Sequence, residues 1–338
     1  MIRNRRFKCL AVFWVLTVCA YTVCALIPPK QNYGFENALI RKNGELPMII
    51  AHRGGDEEFP GNTLEAFYNA YSVDKSIVME TDVNITKDGV LILLHNEQLD
   101  KTTNVTGLAS DWNYSDLLAQ RVDFGYDNPT EDGWLSGERE HYNIDGVNVY
   151  PTDVTYPEGI VPRDNEVFLV TTLEDLLIAF PDNYISVEIK QDGELGIAAL
   201  KEAVRLLEVY DAFDRVTLMS FHTEIHKEMR RMQKDGRVPD GFMYSLGLLG
   251  IVKWYVLYKL GLDSLFFNGV GVLQIPIEKY GFRFDEQRLI RIAHEHNIAV
   301  QYWTVNDEAD MRRLIELGVD GIMTDCPSKL KEVYQDYQ

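Results

Sequence analysis

The chain has very little cysteine where a fold would use it. Of its four cysteines, Cys9, Cys19 and Cys24 fall in an apolar N-terminal run, and Cys326 alone belongs to the body. One thiol closes no internal disulfide, so the body must be held by its core. Positive charge is also short: 33 Lys and Arg against 52 Asp and Glu leave a net charge of −19. That balance excludes a nucleic-acid partner, because phosphate backbones require a basic surface. It equally opposes broad adhesion to anionic lipid, so an anionic small substrate needs a local positive pocket, which Arg53, Lys190 or a metal can supply. No glycine-rich nucleotide turn follows the first candidate strand, which disfavours a doubly wound dinucleotide fold. What is present is globular in character: 46% hydrophobic and 25% charged over 338 residues, enough for one large core or two ordinary domains.

The N-terminus stands apart. Arg3, Arg5, Arg6 and Lys8 precede residues 9–27, which carry no charge, and Pro28 and Pro29 stop the run. A basic flank on that side places the rest of the chain outside the cytoplasm. The run can just span a bilayer and exceeds a typical signal-peptide core, so residues 1–30 read as a membrane anchor. Val23 and Ala25 fit a cleavage site after Ala25, which keeps a removed signal and a secreted product as the alternative. Residues 31–46 read as a linker and 47–332 as the folded domain.

From residue 47 onward, short β-rich runs alternate with helical stretches. Candidate strands are 48–51, 78–83, 90–94, 185–189, 216–220, 242–245, 270–274, 299–303 and 321–324. Candidate helices are 63–72, 172–179, 196–209, 224–234, 285–296 and 308–317. Strands alternating with helices make βα units and a mostly parallel sheet. About eight such units predict a (β/α)₈ barrel, with its site at the carboxyl ends of the strands. The surplus strand is 90–94: Lys87-Asp88-Gly89 has hairpin chemistry, and a two-residue Asp88–Gly89 turn would pair Asp82 with His95. Asn62 is the expected N-cap of the first body helix, with Glu65 completing a capping box. Residues 100–165, rich in Gly, Pro, Asp and aromatics, read as an elaborated loop over the site.

Chemistry-bearing residues cluster early. Glu80 and Asp82 are two apart, so they share one strand face within an otherwise apolar run. Like charges held that close repel unless a cation lies between them. A third acid, Glu188, ends the run Ile185-Ser186-Val187-Glu188-Ile189 just before Lys190. Three carboxylates with room left for substrate suit one divalent cation, Mg²⁺ or Ca²⁺, better than zinc. His52-Arg53-Gly54 directly follows the first strand; a buried Arg demands an anion, and the glycines let backbone approach a ligand. With His95, the set contains what proton transfer and phosphate binding require.

These motifs resemble the glycerophosphodiester phosphodiesterases. The correspondence runs through His52-Arg53-Gly54, Pro60-Gly61-Asn62-Thr63, Glu80-Thr81-Asp82, Thr86-Lys87-Asp88-Gly89 and His95-Asn96. Later it includes Glu188-Ile189-Lys190, Ser220-Phe221, Trp303-Thr304-Val305-Asn306 and Thr324-Asp325, so it covers roughly residues 47–332. The resemblance implies a (β/α)₈ barrel of the phospholipase C-like phosphodiesterase type. It implies Glu80, Asp82 and Glu188 as metal ligands and His52 and His95 as general acid and base. Arg53, Lys190 and Trp303 would bind substrate. The implied reaction releases sn-glycerol 3-phosphate and an alcohol from a glycerophosphodiester.

Two positions depart from the family pattern. Gly61 stands where the family has Glu, and Asn96 where it has Asp, so His95 gains an uncharged neighbour. Two rival readings remain: a lysophospholipase D-like activity on lipid substrates, and a silent surface protein that binds phosphoglycerol groups. Residues 242–262 form a second apolar region broken by Lys253 and Lys259. It reads as a barrel helix packed on the sheet, or as an interfacial helix admitting a lipid-like substrate.

Overall fold

Runs such as Met48–Ala51 and Ile185–Ile189 are largely apolar and have little or no exposed face, as strands do in a parallel sheet covered by helices. The computed structural model describes residues 2–31, 34–42, 44–126, 143–144 and 147–337; for residues 2–12, 143, 144 and 147 it describes backbone only. In chain order the strands are β1 (Met48–Ala51), β2 (Val78–Ile85), β3 (Leu91–Leu93), β4 (Asn143–Ile144), β5 (Val147–Asn148) and β6 (Ile185–Ile189). They continue with β7 (Val216–Met219), β8 (Met243–Tyr244), β9 (Val272–Ile275), β10 (Glu278–Lys279) and β11 (Phe282–Arg283), and end with β12 (Ala299–Tyr302) and β13 (Gly321–Thr324). Eight of them form one parallel sheet in the order β1, β2, β6, β7, β8, β9, β12, β13, with β13 returning to β1. The parallel bridge Ser245–Val272 closes β8 against β9. The expected (β/α)₈ barrel is the fold found.

Helices cover the barrel. After α1 (Ile2–Ala25) come α2 (Leu64–Val73), α3 (Tyr114–Ala119), α4 (Leu173–Ala179), α5 (Gly193–Val209) and α6 (Thr223–Lys234). The remainder are α7 (Leu248–Leu260), α8 (Gln287–Glu295), α9 (Glu308–Leu317) and α10 (Pro327–Tyr334). One apolar cluster joins them to the strands, with Phe67, Leu176, Leu207, Met229, Trp254, Leu289, Leu314 and Leu330 each donated by a different helix. Each such side chain contributes about 1.5–3 kcal/mol on burial. Within residues 100–165 the described parts include single turns, α3 and the β4–β5 pair, and Leu117, Val122 and Phe124 pack with Ile92 and Leu94 of the β3 segment and with Val170 in a small second core. The part of that expected loop at residues 127–142 lies outside the described residues. Among the described residues, no helix is long and apolar enough to cross a membrane. The basic flank and the first turns of the anchor-or-signal segment lie outside the described side chains.

Two local expectations are corrected. β3 does fold back on β2 and stays off the barrel path, but Val83 pairs with Leu93 and Ile85 with Leu91. The loop therefore holds three residues, Lys87, Asp88 and Gly89, closed by Thr86 N–H donating to Val90 O at 2.9 Å. Gly89 takes a left-handed φ of 85°, the geometry of a type I turn followed by a G1 bulge. Asp82 then stands opposite Leu94, one residue short of His95.

The N-cap of α2 is Thr63 and not Asn62: the Thr63 hydroxyl accepts from Ala66 N–H at 3.2 Å. The Asn62 amide is already engaged, accepting from Thr81 Oγ1 at 2.8 Å and donating to Asp82 Oδ2 at 3.1 Å. Glu65 makes no box either. It is buried and pairs with Arg163, at 3.2 Å to Nε and 3.1 Å to Nη2, while that guanidinium also donates to Val170 O and Thr171 Oγ1. This network ties the long loop to α2. Removing one member of a buried ion pair strands the other, so Glu65→Ala should lower the unfolding free energy by about 3 kcal/mol in denaturant titration. A loss below about 1 kcal/mol would show that the pair does not anchor the loop.

Candidate active site

The site is built by lateral pairings of strands. Ala51 pairs with Thr324 across the β1–β13 closure, which sets the next residues, His52 and Asp325, side by side. Asp82 pairs with Glu188 across β2–β6, which sets the second acid against the third. All eight residues singled out from the sequence line one cavity of about 240 Å³: His52, Arg53, Glu80, Asp82, His95, Glu188, Lys190 and Trp303. Met219, Phe221, Thr304 and Met323 complete its wall. A neighbouring chamber of about 280 Å³ shares Arg53 and His95 and is otherwise walled by residues that include Phe124 and Tyr126.

The three carboxylates are 3%, 1% and 8% exposed for Glu80, Asp82 and Glu188, and each places an oxygen within 4.8 Å of the others. Burial, with the neighbouring Asp82 charge, pushes the Glu80 carboxyl up to about 7. The same causes raise Glu188. Burial acts the same way on Asp82, but Lys190 and Arg53 outweigh it and hold that carboxyl below its usual range. Lys190 Nζ lies 3.1 Å from Glu188 Oε1 and 3.5 Å from Asp82 Oδ1, and Arg53 Nε lies 3.2 Å from Asp82 Oδ2. These three buried acids outnumber the two cations, and Asp56 also draws on Arg53, so negative charge is in excess. This donor set, all oxygen and anionic, fits a hard divalent cation. A second group, Asp192, His222 and Glu224, is similarly close, but both its acids face solvent and need no ion to be stable.

The two histidines differ in what stands behind them. His52 Nδ1 donates to Asp325 Oδ1 at 2.6 Å, and its Nε2 lies 3.9 Å from Glu80 Oε2. Burial would lower its pKa, but Glu80 and Asp325 outweigh burial and raise it to about 8. His95 Nδ1 donates to the neutral Asn96 Oδ1 at 2.9 Å, and burial holds its pKa below the usual histidine value. The Asn96 departure thus keeps the hydrogen bond that orients the ring and loses only the charge.

The Gly61 departure has a structural counterpart. Asp56 takes the place a longer side chain would need: its Oδ1 accepts from Gly61 N–H at 2.9 Å and its Oδ2 from Arg53 Nη1 at 3.0 Å. A Cβ on residue 61 would lie 2.3 Å from Asp56 Oδ1, so a larger residue there would displace this aspartate. Arg53 sits at a left-handed φ of 53°, unusual outside glycine. Its N–H donates to Glu80 Oε2 at 3.0 Å and its carbonyl accepts from Asn62 N–H at 2.8 Å, so the surrounding bonds fix that backbone. Trp303 packs edge-on to Phe221 with ring centroids 6.1 Å apart. Its indole N–H is buried and, among the described residues, has no hydrogen-bond partner.

Three site residues were not singled out from sequence: Asp325, Asn62 and Asp56. The first two lay within quoted motifs, and barrel closure, which makes the first and last strands neighbours, would have paired Asp325 with His52. Asp56 had no sequence signal. Because Glu80 is ionised against its neighbours above pH 7 in the metal-free chain, Glu80→Gln should raise the metal-free melting midpoint at pH 8 by roughly 2–4 °C. It should also abolish the further rise on adding Mg²⁺ or Ca²⁺. A metal-induced rise that persists in the variant would remove Glu80 from the ligand set.

The family model described as the glycerophosphoryl diester phosphodiesterase family matches residues 52–329. A glycerophosphodiester phosphodiesterase of Caldanaerobacter subterraneus is 27% identical over 288 residues, covering 84% of this chain and 96% of its own length. A lysophospholipase D of Rattus norvegicus is 24% identical, covering 86% of this chain and 87% of its own. The solved structure of an Oleispira antarctica phosphodiesterase in complex with the product sn-glycerol-3-phosphate superposes with a TM-score of 0.60 at 18% identity, covering 86% of this chain and 97% of that one. With the model matched across most of its length, the chain belongs to the glycerophosphoryl diester phosphodiesterase family.

Proposed function

We propose that this chain hydrolyses glycerophosphodiesters to sn-glycerol 3-phosphate and an alcohol, using one divalent cation, Mg²⁺ or Ca²⁺, and two histidines. The observation that carries the reading is the convergence of Glu80, Asp82 and Glu188 with His52, His95, Arg53 and Lys190 on one cavity. Glu80, Asp82 and Glu188 would hold the cation, which supplies charge withdrawal from a phosphoryl oxygen when bound. Arg53 and Lys190 would donate N–H to the phosphate oxygens, and the Trp303 ring lines the pocket beside them.

A carboxylate behind His52 favours its imidazolium, whereas the neutral amide behind His95 does not. His52 is therefore the acid and His95 the base. In the first step the glycerol 2-hydroxyl gives its proton to His95 and its oxygen bonds to phosphorus. The bond from phosphorus to the alcohol oxygen breaks, and His52 protonates that leaving oxygen. Water then opens the cyclic phosphate with the two roles exchanged. Each proton transfer is typically worth 10²–10⁴ in rate. Asp325 acts through His52 as a positioning residue.

The expected result is glycerol 3-phosphate release from glycerophosphocholine, followed with glycerol-3-phosphate dehydrogenase, lost on chelation and restored by Mg²⁺ or Ca²⁺. His52→Ala, His95→Ala and Glu188→Gln should each cost at least ~10²-fold in turnover, and Asp325→Asn about 10²-fold with KM little changed. Release of no glycerol 3-phosphate from any glycerophosphodiester with either ion would leave the silent phosphoglycerol-binding reading standing. A second reading, cleavage of lysophospholipids by the same steps, is favoured by the likeness to the rat lysophospholipase D.

We further propose that the enzyme works outside the cytoplasmic membrane, anchored or secreted, supported by the basic flank before the uncharged run of residues 9–27. External protease on intact cells should cut an anchored body, and a secreted one should appear in the medium. A protease-protected, cell-retained body would place it inside.

A further inference from the structure

Helix α7 has the wrong surface for a helix that faces water. Trp254 and Tyr258 enter the core as a barrel helix requires. The opposite face, however, carries Leu249, Val252, Val256 and Leu260, with Leu249 66% exposed. Solvent-facing stripes on globular helices are normally polar. In a chain with 52 acidic residues, α7 has none, and its only charges are Lys253 and Lys259.

This apolar face continues in two directions. Toward the catalytic cavity it meets the β10–β11 hairpin, where Phe282 packs on Tyr255 with ring centroids 6.1 Å apart. That hairpin projects Tyr280, 88% exposed, and Phe282, 58% exposed. Its Lys279 lies 5.5 Å from the Trp303 ring, so the hairpin stands at the rim of the site. In the other direction, Tyr21 of α1 donates to Leu260 O at 2.6 Å, and Ser264 donates to Ile27 O at 2.6 Å. The uncharged N-terminal run therefore meets the far end of α7, with Phe13, Trp14 and Leu16 exposed along it.

We propose that the outer face of α7 and the tip of the β10–β11 hairpin rest on a lipid bilayer, so that the cavity opens at the membrane surface and takes lysophospholipid from it. This rests on the phosphodiesterase reading above and names its substrate class. A bilayer is the occupant favoured because the face is continuous with the apolar N-terminal run. Its charges also suit lipid: Lys253 and Lys279 can extend to phosphate groups while their stems lie along apolar surface. An aliphatic stripe edged by aromatics and lysines, whose neighbouring acids Glu278 and Glu286 are paired with Arg283 and Lys259, matches an interfacial surface.

The test uses the full chain with Leu249→Glu/Val256→Glu, and separately with Tyr280→Ser; all three positions are exposed and none lines the cavity. Turnover of water-soluble glycerophosphocholine should stay within about twofold, while turnover of lysophosphatidylcholine in phosphatidylcholine vesicles should fall about tenfold. Equal turnover of the vesicle substrate by variants and wild type overturns the proposal. So does a wild-type dimer that the double variant converts to monomer with no selective loss, since a second copy would then cover the face. Amide exchange in phosphatidylcholine nanodiscs needs no turnover: residues 280–282 should exchange about tenfold slower in wild type than in the double variant. Identical exchange overturns docking even if both substrates are cleaved; slowed exchange without turnover would sustain docking and sink the phosphodiesterase reading instead.

Discussion

Mutual repulsion among three buried carboxylates is the constraint on which the rest of this site depends. Glu80, Asp82 and Glu188 lie almost wholly out of water and within reach of one another. Isolated charges so placed would cost several kcal/mol each. The fold answers with Lys190 and Arg53, which favour Asp82 above the other two, and leaves Glu80 and Glu188 with raised affinity for a proton. A group that binds protons too readily for its type also welcomes a cation. The same pressure accounts for the backbone around it: the left-handed Arg53 N–H is spent on Glu80, and Asn62 is turned away from capping a helix to hold Asp82.

The barrel supplies this arrangement through register. Side chains two residues apart on β2 share a face, and the β2–β6 pairing adds Glu188 opposite Asp82. Closure of β13 on β1 then brings Asp325 to His52, which gives one histidine an anionic partner while His95 keeps a neutral one. The asymmetry needed for an acid and a base thus comes from two different strand junctions. The departures at residues 61 and 96 fit the same frame. Asp56 occupies the space beside Gly61 and restores a carboxylate next to Arg53, and Asn96 retains the orienting hydrogen bond.

Much of this was legible in the chain because burial writes a simple pattern. Apolar runs at βα spacing gave the barrel strands, and Asp88–Gly89 correctly marked 90–94 as the strand outside it. The register was misjudged by one residue because Asp-Gly serves both two-residue and bulged three-residue turns, and only the twist of the packed strands chooses between them. Capping failed at Asn62 for a related reason: local propensity says what a side chain can do, whereas the Asp82 contact that claimed it lies twenty residues away. The Asp325–His52 contact spans 273 residues and becomes visible only once the barrel is closed. The apolar region over residues 242–262 showed no clean stripe because both sides of α7 are apolar, one facing the core and one facing out.

The central claim is that one divalent cation sits where these acids converge. Anomalous scattering from crystals of the full chain grown with Mn²⁺ tests it most directly. The account predicts a single strong peak bounded by Glu80, Asp82 and Glu188. A chain that turns over glycerophosphodiesters with no metal peak there, or with the peak elsewhere, would contradict it.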